Sequence, residues 1–128
     1  MTRWIVDAMN VIGSRPDGWW KDRRGAMRRI AEQLVDLAAS GDEVTVVFDG
    51  REFNDPPVAA GVEVDFAPGG HNAADHRIVE RVEADSDPGS LLVVTSDREL
   101  AGRVRAAGAE VEGSSGVRRR LDALKGDG

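Results

Sequence analysis

Cysteine is absent from this chain of 128 residues. A protein without cysteine has no disulfide scaffold, no thiol nucleophile and no cysteine-ligated zinc site. The absence is also typical of proteins from a reducing compartment. Histidine is scarce as well, with two residues in the whole sequence. A metal site in this chain would therefore depend mainly on oxygen ligands.

Long apolar runs are also missing. No stretch approaches the ~20 apolar residues that span a membrane, and the N-terminus enters a predicted strand without a signal-peptide pattern. Apolar residues make up 41% of the sequence and charged residues 31%, which is the balance of a folded soluble protein. We therefore expect one domain over residues 1–125, a frayed tail over 126–128, and a cytoplasmic location.

Positive charge is in deficit, and the formal net charge is −6. This total is unfavourable for nucleic-acid binding, because affinity for phosphate backbones comes largely from Lys and Arg. The distribution is more favourable, since arginines cluster within residues 23–29 and 118–120 while aspartates follow the predicted strands. An acidic centre flanked by basic patches is typical of a metal-dependent enzyme acting on phosphodiesters. Solvated helix faces on an ordinary protein would give the same pattern.

Apolar periodicity predicts alternating strands and helices. Short apolar or β-branched runs predict five strands, at residues 4–6, 43–48, 62–66, 90–95 and 109–112. Spacings of three and four residues predict helices at 22–40, 72–85 and 98–107, and a final helix after residue 116. An irregular loop is expected at 51–61. This order predicts an α/β fold with a mostly parallel sheet of about five strands and helices on both faces.

Aspartates directly follow three of these strands, at Asp7, Asp49 and Asp97. Because the carboxyl ends of parallel strands meet at one edge of a sheet, we expect these side chains to lie close together. Asp75 joins them if its helix begins at the same edge. Crowded carboxylates repel one another, so such a cluster is expected where a cation neutralises it. Oxygen ligands favour Mg²⁺ or Mn²⁺.

Most of these aspartates also have a structural explanation. The four residues from Ser96 have the pattern of a capping box with Ser96 as the N-cap, and the four residues from Asn72 form a similar cap. Asp49 fits a plain turn. No helix cap is evident after Asp7, however, and Asn10 stands where its amide would turn back toward that carboxylate. Asp7 is therefore the strongest functional candidate.

Five short motifs follow one another along the chain. They are Asp-Ala-Met-Asn-Val-Ile at 7–12, Val-Phe-Asp-Gly at 47–50, Asn-Ala-Ala-Asp at 72–75, Val-Thr-Ser-Asp at 94–97 and Ala-Gly-Ala at 107–109. In this order they resemble the NYN domains, a family of PIN-like nucleases, and especially the YacP-like branch of predicted RNA-binding proteins. Ala8-Met9 replaces the usual Gly-Tyr of that branch. His76 stands where some NYN proteins have an acid, which leaves the number of metal ions open.

The resemblance implies a three-layer α/β/α fold and a metal-dependent ribonuclease, most simply an endoribonuclease that uses metal-activated water. Mg²⁺ or Mn²⁺ would be the cofactor. Carried over by position, the acidic ligands and catalytic residues would be Asp7, Asp49, Asp75 and Asp97. Asn10 would orient Asp7 or a water on the metal. Thr95 and Ser96 would lie outside the set of ligands and orient the ligands or the waters.

Other functions fit parts of the same pattern. A catalytically weak RNA-binding or ribosome-associated module would keep the fold without the chemistry. A phosphatase or receiver-like domain also has an aspartate after its first strand. The phosphatase or receiver-like domain is disfavoured, because no second acid follows Asp7 at two residues' distance and no strand-end lysine completes a receiver site.

The expected partner is RNA, free or presented by the ribosome. Arg51 lies directly after the second strand-end aspartate, and Arg24 and Arg28 are one turn apart on the first long helix, so all three are candidate phosphate contacts. A solvated helix face explains Arg24 and Arg28 equally well. The adjacent Trp19 and Trp20 would stack on unpaired bases or serve a core or homodimer contact. We expect at least one of them in the core or an interface.

Overall fold

The computed structural model describes residues 2–14, 18–50, 59–70 and 72–126. The strands in these ranges are β1 (Arg3–Asp7), β2 (Glu43–Asp49), β3 (Val62–Ala67), β4 (Leu91–Val94) and β5 (Glu110–Glu112). The α-helices are α1 (Ala8–Gly13), α2 (Arg23–Ala39), α3 (Ala73–Ala84), α4 (Arg98–Ala106) and α5 (Ser114–Gly126). Most of the predicted loop at 51–61 lies outside the described residues. No helix within the described ranges is long and apolar enough to cross a membrane.

The five strands form one parallel sheet in the order β3-β2-β1-β4-β5. The predicted parallel α/β architecture is confirmed, with β1 at the centre. The direction in which strands are added reverses between β1 and β4, because β2 and β3 lie on one side of β1 while β4 and β5 lie on the other. Such a reversal leaves a crevice at the carboxyl ends of the two strands, where open α/β sheets bind ligands.

Helices cover both faces of the sheet. One core cluster joins Val6 and Phe48 to apolar residues of α1, α2 and α5, and the other joins Ile5 and Val93 to apolar residues of α3 and α4. The neighbouring Ile5 and Val6 thus pack on opposite faces, as the two-residue period of a strand requires. Burial of each large aliphatic side chain contributes roughly 1.5–3 kcal/mol. The three-layer α/β/α fold is therefore confirmed.

The helix α1 is a feature that the periodicity did not predict. It begins immediately after Asp7 and buries Ala8, Val11 and Ile12 against the first core cluster. Six residues are too few to show a helical repeat, so the sequence pattern could not reveal it. Asp7 occupies the N-cap position of α1 but makes no side-chain capping hydrogen bond. Its carboxylate is therefore available for another partner.

Candidate active site

The carboxyl ends of the central strands open into a cleft of about 470 Å³. The four predicted acids, Asp7, Asp49, Asp75 and Asp97, line this cleft together with Asn10. The other described residues that line it are Met9, Arg23, Gly50, Gly70 and Asn72. The structure thus brings to one place acids from three strand ends and one helix start. This is the arrangement expected from the parallel order of the strands.

Asp7 is the most buried of the four acids, with 5% of its surface exposed. Its Oδ2 accepts a hydrogen bond of 2.9 Å from the Thr95 hydroxyl. Burial raises the pKa of Asp7 to about 6, and the hydrogen bond from Thr95 opposes that rise. The nearby carboxylates of Asp75, Asp49 and Asp97 raise the pKa of Asp7 further. A bound cation would relieve this repulsion, since it offers the carboxylate an opposite charge.

Asp49 joins the end of β2 to the start of α3. Its Oδ1 accepts a hydrogen bond of 2.9 Å from the backbone nitrogen of Ala74. That bond holds the first turn of α3, which carries Asp75, against the cleft. Burial raises the pKa of Asp75, and the charges of Asp97 and Asp49 raise it further. Asp75 therefore belongs to the same electrostatically strained group as Asp7.

The predicted cap of α3 by the Asn72 side chain is wrong. Asn72 occupies the N-cap position, but its backbone is left-handed with a φ of 64°, and its side chain makes no capping hydrogen bond. The carboxylate of Asp49 takes that role from a neighbouring strand. A capping group supplied across such a distance in sequence leaves no local motif. The pattern from Asn72 to Asp75 therefore gave the right helix start with the wrong partner.

The predicted capping box of α4 is also wrong in its N-cap residue. Asp97, and not Ser96, caps the helix, because Oδ1 of Asp97 accepts hydrogen bonds from the backbone nitrogens of Glu99 and Leu100, at 2.9 and 3.2 Å. The Ser96 hydroxyl instead accepts a hydrogen bond from the backbone nitrogen of Ser114. Both capping bonds use the same oxygen of Asp97. Oδ2 of Asp97 accepts neither of these bonds and is therefore available to a ligand in the cleft.

Thr95 links two of the acids. Its hydroxyl donates to Oδ2 of Asp7 and accepts a hydrogen bond of 3.1 Å from the backbone nitrogen of Asp97. Thr95 is itself buried. Thr95 therefore contacts both residues, and its supporting role for a metal site stays a prediction. A hydroxyl that donates to one group and accepts from the other fixes their relative placement.

Asn10 does not hold Asp7, contrary to one of the two roles expected for it. Its Oδ1 accepts hydrogen bonds from the backbone nitrogen of Ser96, at 2.8 Å, and from the hydroxyl of Ser114, at 2.5 Å. Ser114 is fully buried and was not predicted as a site residue. The only sequence signal for it is the small, polar segment at 113–116 before the last helix. That signal indicates a turn and does not indicate a partner.

The predicted arginine contacts have different outcomes. Arg51 lies outside the described residues. Arg24 and Arg28 are on α2, but the arginine among the described residues lining the cleft is Arg23. Its Nη2 donates to the backbone carbonyl of Asp49 at 3.3 Å. Helical spacing favoured Arg24 and Arg28. It gave no reason to choose Arg23, which is the first residue of the helix.

The two tryptophans have separate environments. Trp19 is half-buried and packs against the first core cluster, whereas Trp20 is 61% exposed. Their rings meet edge to face with centroids 6.2 Å apart. Trp19 thus takes the core position expected for at least one of the pair. Trp20 remains accessible three residues before Arg23 of the cleft.

The donor set has the chemistry of a divalent-cation site. Four carboxylates face one cleft, and carboxylate oxygens are the ligands that Mg²⁺ and Mn²⁺ prefer. Among the residues that the structure describes, no three acidic or histidine side chains are close enough together to hold an ion as they stand. The residues therefore fit the ion in kind and charge, and their side chains would have to converge to coordinate it.

A family model, the YacP-like NYN domain, matches residues 4–127. The fold is similar to two crystal structures of Rae1 (YacP) from Bacillus subtilis, one of them of a point mutant, each with a TM-score of 0.82. The mutant is 23% identical to this chain and the other structure 24%. Each covers 98% of this chain, which spans 77% of the mutant chain and 76% of the other. No curated protein matches the sequence.

Proposed function

This chain belongs to the YacP-like NYN domain family, which has a nuclease-like fold and acts on nucleic acids, and from that premise we propose that it is a metal-dependent endoribonuclease. The observation that supports this activity is the cleft that Asp7, Asp49, Asp75 and Asp97 line together. The pKa values of Asp7 and Asp75 are raised there, which is common at catalytic sites. The substrate is RNA, free or presented by the ribosome in the cytoplasm.

The four carboxylates are the proposed ligands of the metal. Mg²⁺ or Mn²⁺ bound there would activate a water for attack on the phosphorus and offset the charge on the leaving oxygen. Asp7 is held in place by Thr95, and Asp97 by the start of α4, so neither depends on the ion for its position. Asp49 holds Asp75 close by through α3. No protein nucleophile is required.

Cationic and aromatic side chains near the cleft would place the RNA. Arg23 lines the cleft, and its Nη2 donates to the backbone carbonyl of Asp49. Trp20, exposed on the segment that leads into Arg23, offers a ring on which an unpaired base can stack. Arg24, Arg28 and Arg51 remain proposed contacts to phosphates farther along the RNA.

Single-turnover cleavage of a panel of RNAs tests the activity. We expect cleavage that requires Mg²⁺ or Mn²⁺, stops in EDTA and falls by about 10²-fold or more in Asp7→Asn, since a loss of several kcal/mol of transition-state stabilisation has that effect. Asp36→Asn is the matched control, because Asp36 is an exposed acid on α2 outside the cleft lining. Cleavage that persists in EDTA or in Asp7→Asn would contradict the proposal.

An RNA-binding module without strong activity is the second candidate. This second candidate is favoured by one observation. Among the described residues, the carboxylates do not lie close enough together to hold an ion as they stand. Retained RNA affinity without cleavage at any metal concentration would support it. A crystal soaked in Mn²⁺ separates the two functions directly, because an ion coordinated by Asp7 is expected only for the enzyme.

A further inference from the structure

Three hydrogen bonds form a closed ring, here called the Asn10 ring, between Asn10, Ser96 and Ser114. The backbone nitrogen of Ser96 and the hydroxyl of Ser114 both donate to Oδ1 of Asn10, at 2.8 and 2.5 Å. The backbone nitrogen of Ser114 donates to the hydroxyl of Ser96 at 2.9 Å, which closes the ring. Ser114 has no exposed surface. The ring thus joins Asn10, which lines the cleft, to a buried residue behind it.

The ring fixes which end of the Asn10 amide faces the cleft. A backbone nitrogen can only donate a hydrogen bond, so the atom of Asn10 that meets Ser96 must be its oxygen. That oxygen has two lone pairs, and the two donors of the ring occupy both. Asn10 also lines the cleft, whereas Ser96 and Ser114 are not among its described lining residues. The amide nitrogen is therefore the polar atom that Asn10 presents to the cleft.

An amide nitrogen presented in this way binds acceptors and not cations. It carries two hydrogen-bond donors and has no lone pair to give to a metal. Within the described residues it makes no hydrogen bond, and Asp7 takes its side-chain hydrogen bond from Thr95. Under the proposed function, the acceptor that arrives with the substrate is an anionic phosphate oxygen.

We propose that Asn10 donates a hydrogen bond to a non-bridging oxygen of the RNA phosphodiester, and that Ser114 is the positioning residue that aims it. The proposal rests on the proposed function and assigns the phosphate-binding donor of the same site. Ser114 acts through Asn10, because its hydroxyl is the donor that completes the occupation of Oδ1. Without that hydroxyl, Oδ1 of Asn10 keeps only the hydrogen bond from Ser96, and the amide is held less firmly.

Asn10→Asp removes the amide N–H donor and keeps the hydrogen bonds of the Asn10 ring. A carboxylate oxygen accepts from Ser96 and Ser114 as the amide oxygen does, but the second oxygen cannot donate and repels a phosphate. Ser114→Ala removes the aiming hydroxyl. Ser115→Ala is the matched control, since Ser115 is exposed in the same first turn of α5. Thermal unfolding of each variant shows whether it folds.

The probe is a short fluorescein-labelled single-stranded RNA, with Ca²⁺ in place of Mg²⁺ to suppress cleavage. We expect its Kd to rise about 10-fold or more in Asn10→Asp and about 5-fold in Ser114→Ala, as for the loss or misdirection of one charge-assisted hydrogen bond. The Kd should not change in Ser115→Ala. Mn²⁺ affinity, measured by electron paramagnetic resonance, should not weaken in Asn10→Asp, because the amide is not a metal ligand.

A double-mutant cycle separates aiming from a merely structural role. If Ser114 acts through the Asn10 amide, adding Ser114→Ala to Asn10→Asp should raise the RNA Kd no further. Full additivity would overturn the role of Ser114, and an unchanged RNA Kd in Asn10→Asp would overturn the role of Asn10. If Ser114→Ala does not fold, Asn10→Asp decides alone. A wild type that binds no RNA would overturn the proposed function itself, which is a different result.

Discussion

At the scale of single residues, Asp7 determines the character of the site. It ends the central strand, is almost fully buried, and relies on one hydroxyl for a hydrogen bond to its carboxylate. A buried carboxylate among other carboxylates is costly to ionise, and its raised pKa reports that cost. The protein therefore holds an unfavourable charge at a fixed place. A cation in the cleft would meet a carboxylate that is already desolvated.

Replacing Asp7 with Asn should stabilise the metal-free protein above pH 6. The pKa of Asp7 rises from 3.8 to about 6 on folding, so the folded state binds the proton more tightly and the wild type loses stability as pH rises from about 4 to 6. Asp7→Asn avoids that loss, worth about 2–3 kcal/mol at pH 8 and little below pH 4. Urea unfolding in EDTA at both pH values measures it. Equal stability of the two proteins at pH 8 would contradict the expected cost.

The acids of the site could be predicted from the sequence, and their partners could not. Strand ends follow from apolar runs, and the parallel order then brings Asp7, Asp49 and Asp97 to one edge without any knowledge of side chains. Thr95 was expected to support the ligands, but which carboxylate it contacts, and the role of Ser114, depend on side-chain directions across segments distant in sequence. No local spacing encodes such a contact. The same reason explains why Asn10 was assigned to Asp7, its neighbour in sequence, and not to Ser114.

At the scale of the elements, each acid is also part of the local construction. Asp49 caps α3 from the adjacent strand, and Asp97 caps α4. Periodicity predicted these helices well, because each buries a clear apolar face. It missed α1, which is too short to repeat. The two wrong N-caps show that a capping motif locates a helix start more reliably than it identifies the capping group.

Two substitutions at Asp97 should separate capping from chemistry. Asn caps helices about as well as Asp, so Asp97→Asn should keep the free energy of unfolding within about 0.5 kcal/mol of wild type, whereas Asp97→Ala should lose about 1 kcal/mol. Both should lose RNA cleavage if Asp97 is a metal ligand. Urea unfolding and cleavage assays on the same preparations test this. Wild-type cleavage by Asp97→Asn would show that Asp97 serves only as a cap.

Arg23 should contribute more to RNA binding than other arginines of α2. It projects from the first turn of the helix into the cleft, so Arg23→Gln should weaken binding and reduce the slope of log K against log salt by about 0.7–1. Arg29→Gln is the control, because Arg29 is exposed on the same helix outside the cleft lining. Fluorescence anisotropy across a salt series measures both slopes. Equal slopes for the two variants would rule out a special role for Arg23.

At the scale of the whole molecule, the strand order places the cleft where the winding of the sheet reverses. The β3-β2-β1-β4-β5 order could be predicted only as far as a parallel α/β sheet, because the sequence pattern does not specify which strands are neighbours. The structure adds that the reversal lies between β1 and β4, whose ends carry Asp7 and Thr95. The net charge of −6 and the four carboxylates of the cleft repel an anionic substrate, and a bound cation would offset that repulsion.

Divalent cations should stabilise the whole protein through this cleft. A ligand that binds only the folded state at 100 times its Kd adds about 2.7 kcal/mol, so Mn²⁺ should raise the Tm of the wild type by several degrees. Asp7→Asn should show a much smaller rise. KCl at matched ionic strength controls for screening of the acidic surface. A rise of the same size in both proteins would place the stabilising ion elsewhere.

The Asn10 ring has a consequence for the order in which the protein is synthesised. Two of its members, Asn10 and Ser114, are 104 residues apart in sequence, and Ser114 is the first residue of the last helix. All four acids of the cleft precede Ser114 in the chain. A growing polypeptide therefore carries every proposed metal ligand before it can aim Asn10. The proposed phosphate donor is therefore positioned only after the first residues of α5 have been added to the chain.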